Sequence, residues 1–237
     1  PTRLSSVLVG KSDAGTALWA EDVAFRIAPR LNAPGRLGAP DLAVALLLSK
    51  TADAAQGIAA EIEQRQLERR AVQDRMLEEA MAEVEREGYR ARPALVIGRE
   101  GWNHGIVGIV AGRLASELGK PVVVIGFEAG VGRGAVRGPK GARLHDAVSA
   151  CAPLLRRFGG HQAAAGLEVE LAQLAALREA FEAACAALPA SEAVDEAPSV
   201  RLARGDSLSK VLADLAELEP CGESNPAPSL ALVGRVA

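Results

Sequence analysis

Aromatic side chains are scarce in this 237-residue chain, at 3% of the total. With apolar residues at 49%, its core must be built from Ala, Leu and Val. Three cysteines (Cys151, Cys185, Cys221) are scattered without C-x-x-C spacing. That fits reduced intracellular thiols better than a disulfide framework or a zinc site. No apolar run is long enough to span a membrane, and no basic-then-apolar leader is visible. Hydrolysis by bound metal needs clustered Asp, Glu or His. Here nine Asp are spread along the chain with no D-x-D pair, and the three His (His104, His145, His161) are far apart. The Glu lie mainly on helical stretches, where they read as solvated faces. There is no G-x-S-x-G elbow and no Walker loop. The sequence therefore predicts no catalytic centre and no metal site assembled from these residues alone.

Net charge is −3, which argues against a surface coated in positive charge for nucleic acid. The distribution is uneven. From Ala129 to His161 there are six Arg or Lys against one acid, Asp146; from Leu167 to Pro198 there are seven acids against one Arg. One basic face on an acidic protein fits this pattern, and so does ordinary charge scatter.

The opening forty residues, with "APRLNAPGRLGAPD", are dense in Pro and Gly and read as irregular. "DLAVALLLS" reads as a short helix capped at Pro40–Asp41. From Ala52 to Glu87 there is no Pro and one Gly, and strong helix formers dominate. Ile58, Ile62, Val72, Met76, Ala80 and Val84 recur at helical spacing, with Gln66 and Arg69 interrupting the stripe. Such a helix spans roughly 50 Å at 1.5 Å per residue, and its polar surface suits a bridge between domains. Strand and helix then alternate: "ALVIG", "HGIVGIVAGRLASELG", "PVVVIGF", "GRGAVRG", "LHDAVSACAPLL", "GLEVE" and "LAQLAALREAFEAACAAL". That order predicts an α/β domain. "ALPASEAVDEAPS" reads as a loop, and no internal repeat is visible. The first residues, "PTRLSSVLVG", read as the middle of something and the last, "SLALVGRVA", as a strand cut short. The expectation is a piece of a larger protein.

Four stretches could bind a ligand. "FGGH" sets Gly159 and Gly160 before His161. Glycine lets a backbone approach a phosphate, and His can donate to its oxygen or stack on a base. A Gly-rich turn with a satisfied core His fits equally. In "RGAVRG", Arg133 and Arg137 are four apart, so on a strand they share a face. Their forks suit phosphate, although an edge strand protected by charge fits too. "GWNHG" leads Trp102 and His104 into a helix N-terminus, which favours anions; as ordinary structure, Trp102 is a core anchor and His104 a cap. "NAPGR", Asn32 to Arg36, reads as a polar turn ending in Arg.

Taken in order, "FRIAPRLNAPGRL", the long helix, "GWNHGIVGIVAGRLASELGKPVVVI", "GRGAVRG", "RFGGHQAAAGLEV" and "LEPCGESNPAPSL" resemble the RecJ family of single-strand-specific exonucleases, within the DHH phosphoesterase superfamily. The resemblance covers nearly the whole chain. It implies the C-terminal part of a DHH domain at 1–51, a connector helix at 52–88, and a DHH-associated domain with a mixed sheet at 89–190. The truncated beginning of an oligonucleotide-binding β-fold would occupy 199–237. It implies Mn2+ or Mg2+ held outside these residues. It carries nucleic-acid-binding roles onto Gly159, Gly160, His161, Arg137, Arg133, Arg36, Asn32 and His104. Two departures stand out. Ala135 and Gly138 replace serines common in the family, and Asn103 is inserted between Trp102 and His104.

The implied function is a cytoplasmic 5′→3′ single-stranded-DNA exonuclease of repair and recombination, with no membrane association. Single-strand-binding protein and a helicase are the implied partners. Two rivals remain: a DHH-family oligonucleotide or cyclic-dinucleotide phosphodiesterase, and a nucleic-acid-binding module without catalysis.

Overall fold

Val122 to Phe127 are buried on both faces of their strand, as a central strand between two helical layers requires. They belong to a five-stranded mixed sheet in the computed structural model, which describes residues 20–188, 199–202, 205–222 and 225–232. The strands are β1 (Leu95–Glu100), β2 (Val122–Glu128), β3 (Val131–Arg137), β4 (Leu155–His161) and β5 (Ala164–Glu170), in the spatial order β1-β2-β3-β5-β4. Only β1 and β2 pair in parallel; the other neighbours are antiparallel. The expected mixed α/β architecture is present.

The helices are α1 (Ala28–Arg36), α2 (Asp41–Leu48), the connector α3 (Ala52–Arg86), α4 (Val107–Leu118), α5 (Leu144–Ala150), α6 (Leu174–Ala187) and α7 (Leu208–Ala216). The connector starts where the Thr51 hydroxyl accepts from the Ala54 amide. Along it, one stripe faces two different cores. Ala59 and Ile62 pack with Ile27 and Leu46, whereas Met76, Ala80 and Val84 pack with α4 and one sheet face. The opposite sheet face packs on α5 and α6 through Phe127, Val136, Leu167, Leu177 and Phe181. Buried Lys120 donates to the carbonyls of Tyr89, Arg90 and Arg92 at 2.8–2.9 Å, tying β2 to the turn that leaves the connector.

Three expectations need correcting. The described part of the opening segment is helical, with a π-helical stretch at Asp22–Ile27 running into α1. Pro29 sits where the π-helical stretch gives way to α1, so its missing N–H falls at the change of hydrogen-bonding pattern. Pro34 is buried and its carbonyl accepts from Leu37 and Ala39, so packing overrides propensity. At the start of α2, no side chain caps the helix; Asp41 instead places a carboxylate in the first turn. Gln66 is no break in the connector's stripe: it and Gln73 are buried, and both side-chain oxygens accept from Arg69, at 3.1 and 2.9 Å.

Beyond the sheet, β6 (Ser199–Leu202) and β7 (Ser229–Leu232) pair in parallel with α7 between them. Residues 1–19, positions 189–198 of the loop expected at 187–199, and the final residues 233–237 lie outside the described residues; the loop's ends, Ala187 and Ser199, belong to α6 and β6.

Candidate nucleic-acid interface

Residues directly paired across strands share a sheet face. The register therefore stacks three rows over β3, β5 and β4: Arg133–Glu168–Arg157, Ala135–Gly166–Gly159 and Arg137–Ala164–His161. On β1 and β2 the same face carries Leu95, Ile97, Val122 and Val124, buried under α4 and the connector. Toward the edge that cover ends, and β4 is exposed from Arg156 to His161. The middle row offers almost no side chain there. The result is a low floor of Gly and Ala between two charged rows, bordering an open hollow of about 360 Å³.

"FGGH" is thus not a turn but the end of an edge strand, a correction to the sequence reading. Its two glycines differ. Gly160 has φ +146°, and a Cβ there would run into the Ala164 carbonyl and Ala165. Only glycine fits. A Cβ on Gly159 would meet nothing within 4 Å. That position is bare for want of a neighbour. His161 is exposed at the mouth of the β4–β5 hairpin, in the row of Arg137, so a buried core His is excluded.

"NAPGR" is also not a turn: Asn32 and Arg36 lie one helical turn apart on the same exposed side of α1. The Arg36 guanidinium donates to the Gly105 carbonyl at 2.9 Å. A Cβ on Gly105 would overlap the Arg36 backbone, so the glycine lets α1 dock against the entrance of α4. This contact brings Arg36 near Arg137, a hundred residues on. Burial lowers the Arg137 pKa, and the positive charge of Arg36 lowers it further. Among the described residues, no carboxylate pairs with either.

His104 is not the cap of α4. No side chain caps it; Asn103 holds the turn that enters it, accepting from the Gly105 amide through its side chain and from Ile106 and Val107 through its carbonyl. His104 instead donates to the Gly126 carbonyl at 2.9 Å. Gly126 is the row neighbour of Arg133, so His104 borders the far end of the patch from Arg137. Trp102 is a buried core anchor whose Nε1 donates to Glu79 at 2.7 Å. The cysteines form no disulfide; burial pushes the thiols of Cys151 and Cys185 up to about 11 and about 12.

Residues 92–187 match the DHHA1 domain. The chain is 36% identical, over 88% of its length, to the single-stranded-DNA-specific exonuclease RecJ of Bacillus subtilis, and 34% identical, over 91%, to that of Thermus thermophilus. It superposes on RecJ of Thermus thermophilus in complex with Mn2+ with a TM-score of 0.82 at 32% identity, covering 97% of this chain and 33% of that one. The corresponding complex with Mg2+ gives 0.80. This chain belongs to the RecJ family. It spans 27% of the Bacillus relative and 31% of the Thermus one.

Against that RecJ-family background, the described residues contain no group of three or more His, Cys, Asp or Glu able to hold a metal ion. They do not fit the divalent ions of the solved relatives. No helix among them is long and apolar enough to cross a membrane. One basic residue beside the site was missed in the sequence. Arg69 read as a break in an apolar stripe, yet Gln66 and Gln73 hold its guanidinium in place without neutralising it. Its pKa is lowered by burial first, then by the charges of Arg70, Arg36 and Arg113, with Asp74 acting in the opposite direction. A charged residue at an inward helical position, flanked by Gln at i−3 and i+4, was the available signal.

Proposed function

We propose that this chain forms the strand-gripping wall of a 5′→3′ single-stranded-DNA exonuclease of repair and recombination, facing a metal-bearing DHH domain across a cleft. The observation that carries this reading is the gathering of Arg36 and Arg137, from distant parts of the chain, beside a bare Gly/Ala floor. Family membership supplies the substrate class. Arg36, Arg69 and Arg137 form a positive end that attracts a backbone phosphate, with guanidinium forks suited to its oxygens. Among the described residues no carboxylate pairs with Arg36 or Arg137, and Asp74 offsets Arg69 only in part, so phosphate is a natural counter-ion for this end. His161, exposed in the Arg137 row, donates to the next phosphate or stacks on a base. Gly159 and Gly166 let the strand lie close to the sheet. Asn32 flanks Arg36 on α1, and Arg133 and His104 border the opposite end of the floor.

In this reading residues 1–51 finish a DHH domain, 52–88 connect, 89–190 form the associated domain, and 199–237 begin an oligonucleotide-binding fold. Mn2+ or Mg2+ binds outside the described residues. The whole protein works in the cytoplasm, with single-stranded DNA as substrate and single-strand-binding protein and a helicase as partners.

The test uses the purified chain and labelled oligothymidylate. Expected is salt-dependent binding, with the slope of log K against log salt flattening by about 0.7 for each phosphate contact removed. Arg137→Ala and His161→Ala each weaken binding while thermal melting is unchanged. No degradation follows addition of Mn2+ or Mg2+. Binding unmoved by both substitutions overturns the gripping role; metal-dependent degradation by the chain alone overturns the division of labour.

A further inference from the structure

Arg156 and Arg157 are consecutive on β4, and a regular strand would send them to opposite faces. The pairing slips there: Leu155 pairs with Val169 and Arg157 with Glu168, so two residues of β4 oppose one step of β5. Such a bulge re-aims a side chain. Here it turns both arginines toward one carboxylate. Arg156 Nε lies 3.8 Å from Glu168 Oε1, and Arg157 Nε 3.5 Å from Oε2. From the other side, Arg133 Nε lies 3.7 Å from Oε2. Three guanidinium groups on two strands thus surround one carboxylate, leaving two positive charges in excess.

This cluster is poorly explained as a stabilising device. The arginine side chains are 51–76% exposed, and exposed ion pairs contribute little. The distances exceed those of direct hydrogen bonds, so no fork is committed to Glu168. Arg133, Arg157 and Glu168 line the open hollow together with Gly159 and Gly166. The cluster occupies the same bare face as Arg137 and His161, four residues further along the strands. That separation is roughly 13 Å at ~3.3 Å per residue, more than one step of a nucleic-acid backbone.

We propose that Arg133, Arg156 and Arg157 form a second phosphate site for the same single strand, with Glu168 as the counter-ion that the phosphate displaces. The proposal rests on the reading that this face binds single-stranded DNA. The strand's phosphate at the Arg36–Arg137 end is held first. The chain of the nucleic acid then crosses the glycine floor, and a later phosphate enters the trio. Glu168 keeps three like charges together while the site is empty and competes with the incoming phosphate.

The experiment measures binding of a thymidylate dinucleotide and of a dodecamer to the chain, at several salt concentrations. Only the dodecamer reaches both sites. Expected is that Arg133→Ala, Arg156→Ala and Arg157→Ala each weaken dodecamer binding several-fold and flatten its salt slope, without changing dinucleotide binding or the melting temperature. Glu168→Gln keeps the size and an acceptor oxygen but removes the competing charge; it tightens dodecamer binding and steepens the slope. Arg137→Ala, the control for the first site, weakens both ligands. If Arg137→Ala weakens binding and none of the trio substitutions does, the second site is wrong and the gripping function stands. If dodecamer binding is indifferent to Arg137→Ala as well, the function itself fails and the second site with it. Dodecamer binding unchanged in Glu168→Gln overturns the counter-ion role of Glu168.

Discussion

One face of one sheet has two halves with opposite chemistry. Over β1 and β2 the outward positions are Leu95, Ile97, Val122 and Val124, closed under α4 and the connector. Over β5 and β4 the same positions are Gly, Ala, Glu, Arg and His, left open. A helix covering the first half stabilises the domain; among the described residues none covers the second, which is left as a platform. Ordinary solvated strands carry long polar side chains facing out. Here the central row, Ala135, Gly166 and Gly159, carries almost nothing. Glycine weakens a strand interior and often marks where another backbone comes close. The covered half is shaped for stability; on the proposed reading the bare half receives the DNA strand.

The largest break in this contrast comes from the covered side. Leu114 of α4 is fully buried against β1 and β2. Leu114→Ala should cost about 2–5 kcal/mol of unfolding free energy, read as a lower urea midpoint. Strand binding per folded molecule should be unchanged. A selective loss of binding without loss of stability would mean that the two halves are not separate in role.

This half was the legible one. "PVVVIGF" and "ALVIG" are short continuous apolar runs rich in β-branched residues, the pattern of strands buried on both faces. The connector was legible from its period, because α3 buries Met76, Ala80 and Val84 as the spacing requires. The bare half was only partly so. Arg133 and Arg137 sharing a face followed from alternation, but the role of "FGGH" as strand rather than turn depended on a partner, β5, that local sequence does not name. Arg156 and Arg157 lay in the basic window, yet alternation predicted opposite faces; the one-residue slip that unites them is set by pairing. The helix through Pro29 and Pro34 was hidden for the same kind of reason. Its packing on the connector outweighs the local cost of proline. Arg36 meeting Arg137 needed that docking, and no spacing rule reaches across a hundred residues.

A smaller effect is expected within the glycine pair itself. Gly160→Ala places a Cβ against the Ala164 carbonyl at a backbone angle that L-residues avoid. The strain should cost about 1–3 kcal/mol. Because β4 is an edge strand, the loss should appear first as faster amide exchange across the β4–β5 hairpin, with α4 and β2 still protected. Uniformly faster exchange throughout the sheet would show that the edge is not an independent part.

The smallest effect on stability is also the most informative about the platform. Gly159 faces the same strand partner as its neighbour does, yet a Cβ there meets nothing within 4 Å. Gly159→Ala should leave unfolding within about 0.5 kcal/mol of the parent, or slightly stabilise it, since alanine loses less entropy than glycine in a strand. The protein's own packing therefore gives no reason for glycine at this position. The proposed occupant would: a methyl group on the floor would lift the strand away from the sheet and lengthen its proposed contacts with Arg137 and Arg157 together. Expected is a weakening of oligothymidylate binding on the order of tenfold, about 1.4 kcal/mol, measured by anisotropy beside an unchanged melting curve. Should Gly159→Ala bind as tightly as the parent, the bare row is not where the strand lies. The arginines at its two ends would then have to be read as separate surface charges.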